Sequence, residues 1–330
     1  MLCRQEVEIL ELNTESLSFV SVIIPVYNDP EGIRTVVESL LNQTYPSDAY
    51  EVILVDNGST DDTSKAIADF QTQYPDKVRS ALENQIQNSY AARNKGISIA
   101  RGEIFAFTDA DCVPAADWLE AGVKALLSEG VSRGGGQIVV FYQSERPNVH
   151  EYYDSATKLQ QKAYVDIGFA ATANLFAYRH LFEKYGYFRD DLTSSGDNEF
   201  GRRLSKAQEK IIYIPNAVIQ HPARSTFKGN YKKAVRLALG RKQLAQLGLL
   251  QEHPLTWRWL IPTRSYPVHP KWFHTLTKWE KLQLIFHKNL FRWLEFFIRA
   301  TWTWESKLEM KLLPWSVCIR GNSNNSVQLI

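Results

Sequence analysis

Short apolar runs alternate with stretches of helical spacing along most of the chain. Val20 to Val26 (Val-Ser-Val-Ile-Ile-Pro-Val) is rich in β-branched residues and predicts a buried strand. Ile33, Val36, Val37, Leu40 and Leu41 then recur at helical intervals, predicting a helix over 31–42. The pattern continues as a strand over 51–55, a helix over 62–73, a strand over 78–82, a helix over 88–100, a strand over 103–108 and a helix over 115–128. Gly134-Gly135-Gly136 leads into a strand expected over 137–142. A helix over 149–164, a strand over 170–178, a loop entering a helix over 195–204 and a short strand over 210–214 follow. Helical spacing dominates from there to about residue 312, and the tail from Arg320 reads as loose. Strands and helices alternating at this interval imply an α/β fold, with a mostly parallel sheet covered by helices on both faces. Such sheets bind ligands at the carboxyl ends of their strands. Tyr27 to Asp29, Asp56 to Gly58 and Asp109 to Asp111 all fall at such ends.

The last of these stretches carries the clearest chemistry. Ile104-Phe-Ala-Phe-Thr-Asp-Ala-Asp-Cys112 is an apolar run that ends in two carboxylates one residue apart. Residues i and i+2 of an extended segment point the same way, so Asp109 and Asp111 can converge on one target. Two close like charges are costly unless a cation or a hydrogen-bond network answers them. A divalent ion shared with substrate phosphates would do so. The competing reading is an ordinary acidic turn ahead of Pro114.

Composition changes the picture in two ways. The 330 residues are 44% hydrophobic and 22% charged, enough to bury a sizeable core. Cys3, Cys112 and Cys318 are scattered without metal spacing, which argues against a disulfide framework and suits a reducing compartment. The N-terminus, with Glu6, Glu8, Glu11 and Glu15, has no signal-peptide pattern. No apolar stretch is long enough to predict a membrane span. The net charge of +2 hides an asymmetry. Residues 1–220 hold 20 Lys and Arg against 31 Asp and Glu, whereas residues 221–330 hold 18 against 5. Eight of the nine tryptophans also lie between Trp257 and Trp315. The two parts therefore face different partners.

Five segments occur in one order and spacing: Val-Ile-Ile-Pro-Val-Tyr-Asn from Val22, Val-Asp-Asn-Gly-Ser-Thr-Asp-Asp-Thr from Val55, Ala-Arg-Asn-Lys-Gly-Ile from Ala92, Thr-Asp-Ala-Asp-Cys from Thr108, and Ser-Gly-Asp-Asn-Glu-Phe-Gly-Arg-Arg-Leu from Ser195. Together they closely resemble the family 2 glycosyltransferases over residues 20–225. The resemblance implies the GT-A fold, the Rossmann-like architecture of nucleotide-diphospho-sugar transferases, over 20–225. Residues 1–19 would be a lead-in and 226–330 a basic, Trp-rich helical region. It implies a metal-dependent, inverting transfer of a sugar from a nucleotide-sugar donor to a glycan or lipid-linked acceptor, in cell-surface polysaccharide or glycolipid synthesis.

Roles follow position by position. Pro25, Val26 and Tyr27 resemble the segment lining the nucleobase site, and Asp56 the carboxylate that holds base or ribose. Arg93 and Asn94 resemble residues that close over the nucleotide and its phosphates. Asp109 resembles the carboxylate near ribose or metal, and Asp111 the one that ligates the divalent cation, Mn²⁺ or Mg²⁺. Asp197 resembles the catalytic base and Glu199 a group supporting it; a helix N-cap is the alternative for Asp197. Asn174 suits either the donor sugar and acceptor or a purely structural place at a strand end. His221 is either a further metal ligand or a loop histidine packed near Pro222, and Arg224 could meet the diphosphate.

The Gln-x-x-Arg-Trp motif of processive synthases is absent, which argues against a polymer synthase. A nucleotidyltransferase is the rival enzyme class, but it calls for a Gly-rich basic loop where Tyr27-Asn28-Asp29-Pro30 stands. A non-catalytic carbohydrate-binding or partner-binding module is the other alternative, and it leaves Asp109, Asp111 and Asp197 without a purpose. Beyond residue 225 only physical reasoning is left. Residues 281–302 place Leu282, Ile285, Phe286, Leu290, Trp293, Leu294, Phe297 and Ile298 at helical spacing. Residues 256–315 thus suit a membrane surface on the cytoplasmic side, or a cover for the catalytic domain, or a dimer contact. No nucleic-acid motif is present.

Overall fold

The computed structural model describes residues 18–157, 159–250, 256–263, 276–301, 319–322 and 326–329. The chain opens with β1 (Val20–Val26), α1 (Pro30–Leu41), β2 (Tyr50–Asp56), α2 (Thr63–Gln73), β3 (Val78–Leu82), α3 (Ser89–Ile99) and β4 (Ile104–Phe107). Each of these matches its expected span within two residues. β3, β2, β1 and β4 lie side by side, all parallel. Val26 pairs with Asp56 and Ile23 with Phe107, so the loops after β1, β2 and β4 emerge on one edge.

Strand alternation divides the core in two. Val22 and Ile24 of β1, Val52 and Leu54 of β2, and Ile104 and Ala106 of β4 pack on one face against Ile33, Val36, Val37 and Leu40 of α1. Ile23, Ile53, Val55, Phe105 and Phe107 pack on the other face against α3. Period-two alternation is what sends neighbours to opposite faces.

The second half of the sheet departs from the parallel expectation. It is built from β5 (Val113–Pro114), β6 (Arg133–Phe141), β7 (Leu175–Tyr178) and β8 (Ile212–Pro222), interspersed with α4 (Trp118–Glu129), α5 (Val149–Thr157), α6 (Gln161–Asp166), α7 (Arg179–Tyr185) and α8 (Gly196–Lys206). β7 runs antiparallel to β4 and β6, β8 is parallel to β6, and β5 is antiparallel to β8. The sheet is therefore mixed, in the order β3-β2-β1-β4-β7-β6-β8-β5.

Four spans differ from the sequence reading. The strand expected over 170–178 is only β7, Leu175–Tyr178, because a 3₁₀ turn occupies Thr172–Asn174. The glycine triplet lies inside β6 rather than before it, because the sheet needs its bareness: a Cβ on Gly136 would sit 2.4 Å from the Ala217 carbonyl oxygen and 2.5 Å from the Asn174 amide. The helix expected over 149–164 is two helices, broken where Leu159 takes φ 59°. β8 runs eleven residues, well past the short strand expected at 210–214, continuing through Pro215 after a register irregularity opposite Gly136 and Gln137.

The helical C-terminal region is present as α9 (Phe227–Gln246) and α10 (Lys278–Thr301), with a 3₁₀ turn at Trp257–Leu260. A third core cluster joins Tyr152 and Tyr153 of α5 to Leu276 and to Leu284 and Phe291 of α10. The tail expected to be loose contains a strand pair, β9 (Ile319–Asn322) antiparallel to β10 (Ser326–Leu329), flanking an Asn- and Ser-rich sequence of turn-forming composition. Much of 256–315, with Trp272, Trp302, Trp304 and Trp315, lies outside the described residues, as do Cys3, Cys318 and nearly all of the 1–19 lead-in. Among the described residues no helix is long and apolar enough to cross a membrane.

Candidate active site

The loops after β1 and β2 are laced together. Asn28 adopts φ 51°, its amide donates to Ser59 Oγ at 3.0 Å, and its side-chain oxygen accepts from the Thr60 amide at 2.8 Å. Pro25 and Val26 are set in β1, and Tyr27 emerges 49% exposed, a ring available as a stacking platform. Asp56 is buried at the end of β2. Its carboxylate accepts from the Ser59 amide at 2.9 Å and from Ser64 Oγ, which ties the strand end to α2. A carboxylate has further lone pairs for a ligand.

α3 organises the centre of the cleft. Its N-cap Asn88 accepts from the Tyr90 amide, and its side-chain NH₂ donates to the carbonyls of Asp190 and Leu192. Arg93, almost wholly buried, donates to Asp109 from the next strand end. That ties the guanidinium to the Asp109 carboxylate, with its Nε unpaired. Asn94 turns away: its amide donates to the Phe188 carbonyl at 2.8 Å and accepts from the Phe188 amide at 3.1 Å. It anchors the loop that leads to α8.

Asp109 and Asp111 stand beside each other as the spacing implied, and the length of β8 supplies their third neighbour. β5 pairs Val113 with Gln220, and this carries His221 to the acidic pair. One ligand atom from each of Asp109, Asp111, Cys112 and His221 lies within 4.8 Å of the others. His221 is buried, its Nδ1 is 2.8 Å from the Pro222 carbonyl oxygen, and its Nε2 is 3.8 Å from Asp111 Oδ2. A carbonyl only accepts, so Nδ1 carries a proton toward Pro222 and Nε2 faces the cluster. Such an outward hydrogen bond fixes the tautomer of metal-binding histidines in general. Two carboxylate oxygens and one imidazole suit Mn²⁺ or Mg²⁺ with coordination positions to spare. Cys112 is wholly buried behind the pair, and its soft sulfur does not match a hard ion. Although 41% of the Asp111 side chain is exposed, desolvation in the cleft raises its pKa; His221 and Arg224 oppose the rise and Asp109 adds to it.

Asp197 opens the first turn of α8, after Ser195 at φ 67°. Its Oδ1 accepts from the Tyr90 hydroxyl at 3.3 Å and from the Asn198 amide at 2.8 Å. Burial pushes its pKa above the ordinary carboxylate value, against these donors and the nearby Arg93. Gly196 lets the Tyr90 ring sit close: a Cβ there would lie a tight 3.0 Å from it. Glu199 is buried, and both its oxygens are held by Arg203, at 3.1 and 2.8 Å. Arg203 also donates to the carbonyls of Tyr185, Gly186 and Tyr187, so Glu199 braces the approach to α8 from a distance. Asn174 is fully buried. It accepts from Trp118 Nε1 at 2.9 Å and donates to the carbonyls of Gln137 and Ala217, each at 2.9 Å. No atom is left exposed to meet a sugar or acceptor. Arg224 pairs with the buried Asp154 at 3.4 Å, and Lys233 of α9 meets the same carboxylate at 2.8 Å.

Sequence reasoning missed Tyr90. The signal was present: Tyr90 lies three residues before Arg93, hence on one side of the same helix. Gln243 of α9 was missed as well; it accepts from the Thr193 amide at 2.8 Å and closes the loop ahead of Asp197 from the other flank.

Known proteins resemble this chain in sequence and in fold. The family model described as Glycosyl transferase family 2 matches residues 21–186, and that of Glycosyl transferase family group 2 matches residues 104–305. Glycosyltransferase AglE of Haloferax volcanii is 40% identical over 238 residues, covering 71% of this chain and 76% of the relative. A dolichyl N-acetyl-α-D-glucosaminyl phosphate 3-β-D-2,3-diacetamido-2,3-dideoxy-β-D-glucuronosyltransferase of Methanococcus voltae is 23% identical over 252 residues, covering 70% and 75%. Among solved structures, the Pyrobaculum calidifontis mannosyltransferase PcManGT, in complex with GDP-Man and Mn²⁺, matches with a TM-score of 0.56 at 21% identity, covering 86% of this chain and 73% of that one.

Proposed function

The chain belongs to glycosyl transferase family 2 and is a glycosyltransferase; from that premise we propose a metal-dependent, inverting transfer of a sugar from a nucleotide diphosphate to an acceptor hydroxyl. The observation that carries this reading is the meeting of Asp109, Asp111 and the Nε2 of His221 in the same cleft as Asp197. Asp109, Asp111 and His221 would hold the divalent cation, which when bound neutralises charge on the departing diphosphate.

The protein's own groups do the rest. Tyr27 offers the base a stacking face, and Asp56 a carboxylate beside it. Arg93 orients Asp109 by donating to its carboxylate. Asp197 accepts the proton of the attacking hydroxyl through its free oxygen, while Tyr90 holds the other. Its raised pKa brings it nearer neutrality, where a base works best. One base and one displacement invert the anomeric centre without an enzyme nucleophile.

The acceptor on this reading is a glycan or a lipid-linked glycan, made for cell-surface polysaccharide or glycolipid at the cytoplasmic face of the membrane. The name of the Methanococcus voltae relative, with its dolichyl phosphate, supports the lipid-linked form.

The test is turnover of a panel of nucleotide sugars with Mn²⁺, with Mg²⁺ and with chelator, in the native protein and in Asp197→Asn. Metal-dependent turnover that disappears in Asp197→Asn is expected. Turnover indifferent to chelator, or undiminished in Asp197→Asn, would sink the proposal.

A further inference from the structure

α10 has two contrasting faces. Leu284 and Phe291 are buried against α5, and Asn289 is buried beside Thr263, to which it donates and from which it accepts. On the side opposite Leu284 and Phe291, Trp279 is 68% exposed, Leu282 57%, Phe286 59% and Phe297 53%, with Asn289 at the edge of this strip under the turn. With Leu290 and Trp293 these six residues fall within about 80° of arc at the α-helical rotation per residue. The 3₁₀ turn beside them continues the surface. Trp257 is 70% exposed and Ile261 46%, and the turn is fastened to α10 by Trp293 Nε1 donating to the Leu260 carbonyl at 3.1 Å and Arg292 donating to the Arg258 carbonyl at 2.7 Å.

Aromatic and leucine side chains thus form a continuous apolar strip on a helix not apolar enough to cross a bilayer. Monomeric proteins seldom expose such strips without a partner. The charge on its flanks selects among partners. Residues 276–301 carry five Lys and Arg against two Glu, and Lys278, Lys281 and Arg292 fall to one side of the strip at helical spacing. The whole of 221–330 carries 18 basic residues against 5 acidic. A second copy of this face would set that positive charge against itself. An anionic bilayer answers both features, taking the rings and leucines into the headgroup boundary and the basic residues onto the lipid phosphates.

We propose that the exposed face of α10, with the turn at Trp257–Leu260, is a docking surface for an anionic lipid bilayer. The helix then lies flat at the interface and does not span it. The proposal deepens the membrane-side reading above, but its readout is lipid binding alone, so it survives or falls independently of sugar transfer.

Flotation of the full chain with vesicles tests it, using equimolar phosphatidylglycerol and phosphatidylcholine against phosphatidylcholine alone, at low and high salt. Binding to the anionic vesicles at low salt is expected, weakened by salt. Leu282→Glu and Phe286→Glu change exposed positions, and each should weaken binding roughly tenfold or more. Lys278→Ala should weaken it about fivefold. Donor turnover and thermal midpoint should be unchanged in all three, which separates lost docking from lost folding. No binding to anionic vesicles, equal binding to neutral ones, or binding unmoved by Leu282→Glu and Phe286→Glu overturns the proposal. So does a dimer by sedimentation velocity that the same two variants dissolve.

Discussion

Tyr90→Phe removes one atom from the candidate site and should move its pH dependence. The hydroxyl of Tyr90 donates to Asp197 Oδ1 at 3.3 Å. Burial and the neighbouring Asp197 push the phenol's pKa well above its ordinary value, so it stays a donor throughout the working range. Phenylalanine keeps the ring that packs on Gly196 and lies 5.9 Å from the Phe188 ring, so the loop ahead of α8 keeps its support. The effect is therefore confined to the carboxylate. Hydrogen bonds to charged groups contribute roughly 1.5–3 kcal/mol. At this length the lower end applies, about 1.4 kcal/mol, or one pH unit. The donor favours the ionised form of Asp197, so its loss raises the pKa further. The base must be ionised to act, and activity falls as pH drops through that pKa. The acid limb of kcat/KM should accordingly move up by about one unit, with donor KM unchanged. The assay is initial rate of transfer against pH for both proteins, with Asp197→Asn as the inactive reference. An acid limb that stays put, or moves down, would refute the assignment of Tyr90 as the residue that positions and tunes Asp197. A raised donor KM with an unmoved limb would instead make Tyr90 part of the nucleotide site.

Three further outcomes are expected. His221→Ala should lower Mn²⁺ affinity, titrated calorimetrically with a nucleoside diphosphate present, by about tenfold or more, while Cys112→Ser should leave it within a few-fold. Asn174→Ala leaves the Trp118 indole and two carbonyls without partners, and should destabilise the protein by about 3 kcal/mol or more in urea unfolding, with donor KM unchanged in what remains folded. Glu51 is fully buried; burial alone would raise its pKa, but hydrogen bonds from Ser21, the Arg101 amide, Arg79 and the Arg101 side chain bring it below its usual 4.5. Its stabilisation is present above that unfolded-state value and is lost as pH falls through the depressed folded one, so the thermal midpoint should drop in that acid window, and less steeply in Glu51→Gln.

Much of the first half was legible because its signals are local. The strands at Val20–Val26 and Tyr50–Asp56 are continuous β-branched runs, and a strand buried on both faces writes itself that way. The acidic pair was legible for the same reason: both members sit on one strand end. What stayed hidden depended on partners distant in sequence. The glycine triplet looks like a break until Asn174 and Ala217 are seen pressing on Gly136. Asn174 and Asn94 resemble ligand-binding residues by position, yet Asn174 is engaged by the Trp118 indole and two carbonyls, and Asn94 by the backbone of Phe188. The antiparallel turn of the sheet beyond β4 could not be read either, since nothing within β7 records which neighbour it will meet.

The pairing of β5 with β8 has a consequence for how the site comes into being. Asp111 and His221 are 221 − 111 = 110 positions apart, and only the last strand of the main sheet brings them together. During synthesis strands β1 to β4 emerge early and are rich in near-neighbour pairings. The candidate cation site must wait for the chain to return across the sheet, a long closure of the kind that slows folding. A nascent or truncated chain ending before His221 would therefore be a partly assembled sheet in which Asp109 has Arg93 but Asp111 lacks its imidazole neighbour. On the proposed function, competence waits for that closure, which keeps an incomplete enzyme from consuming its donor.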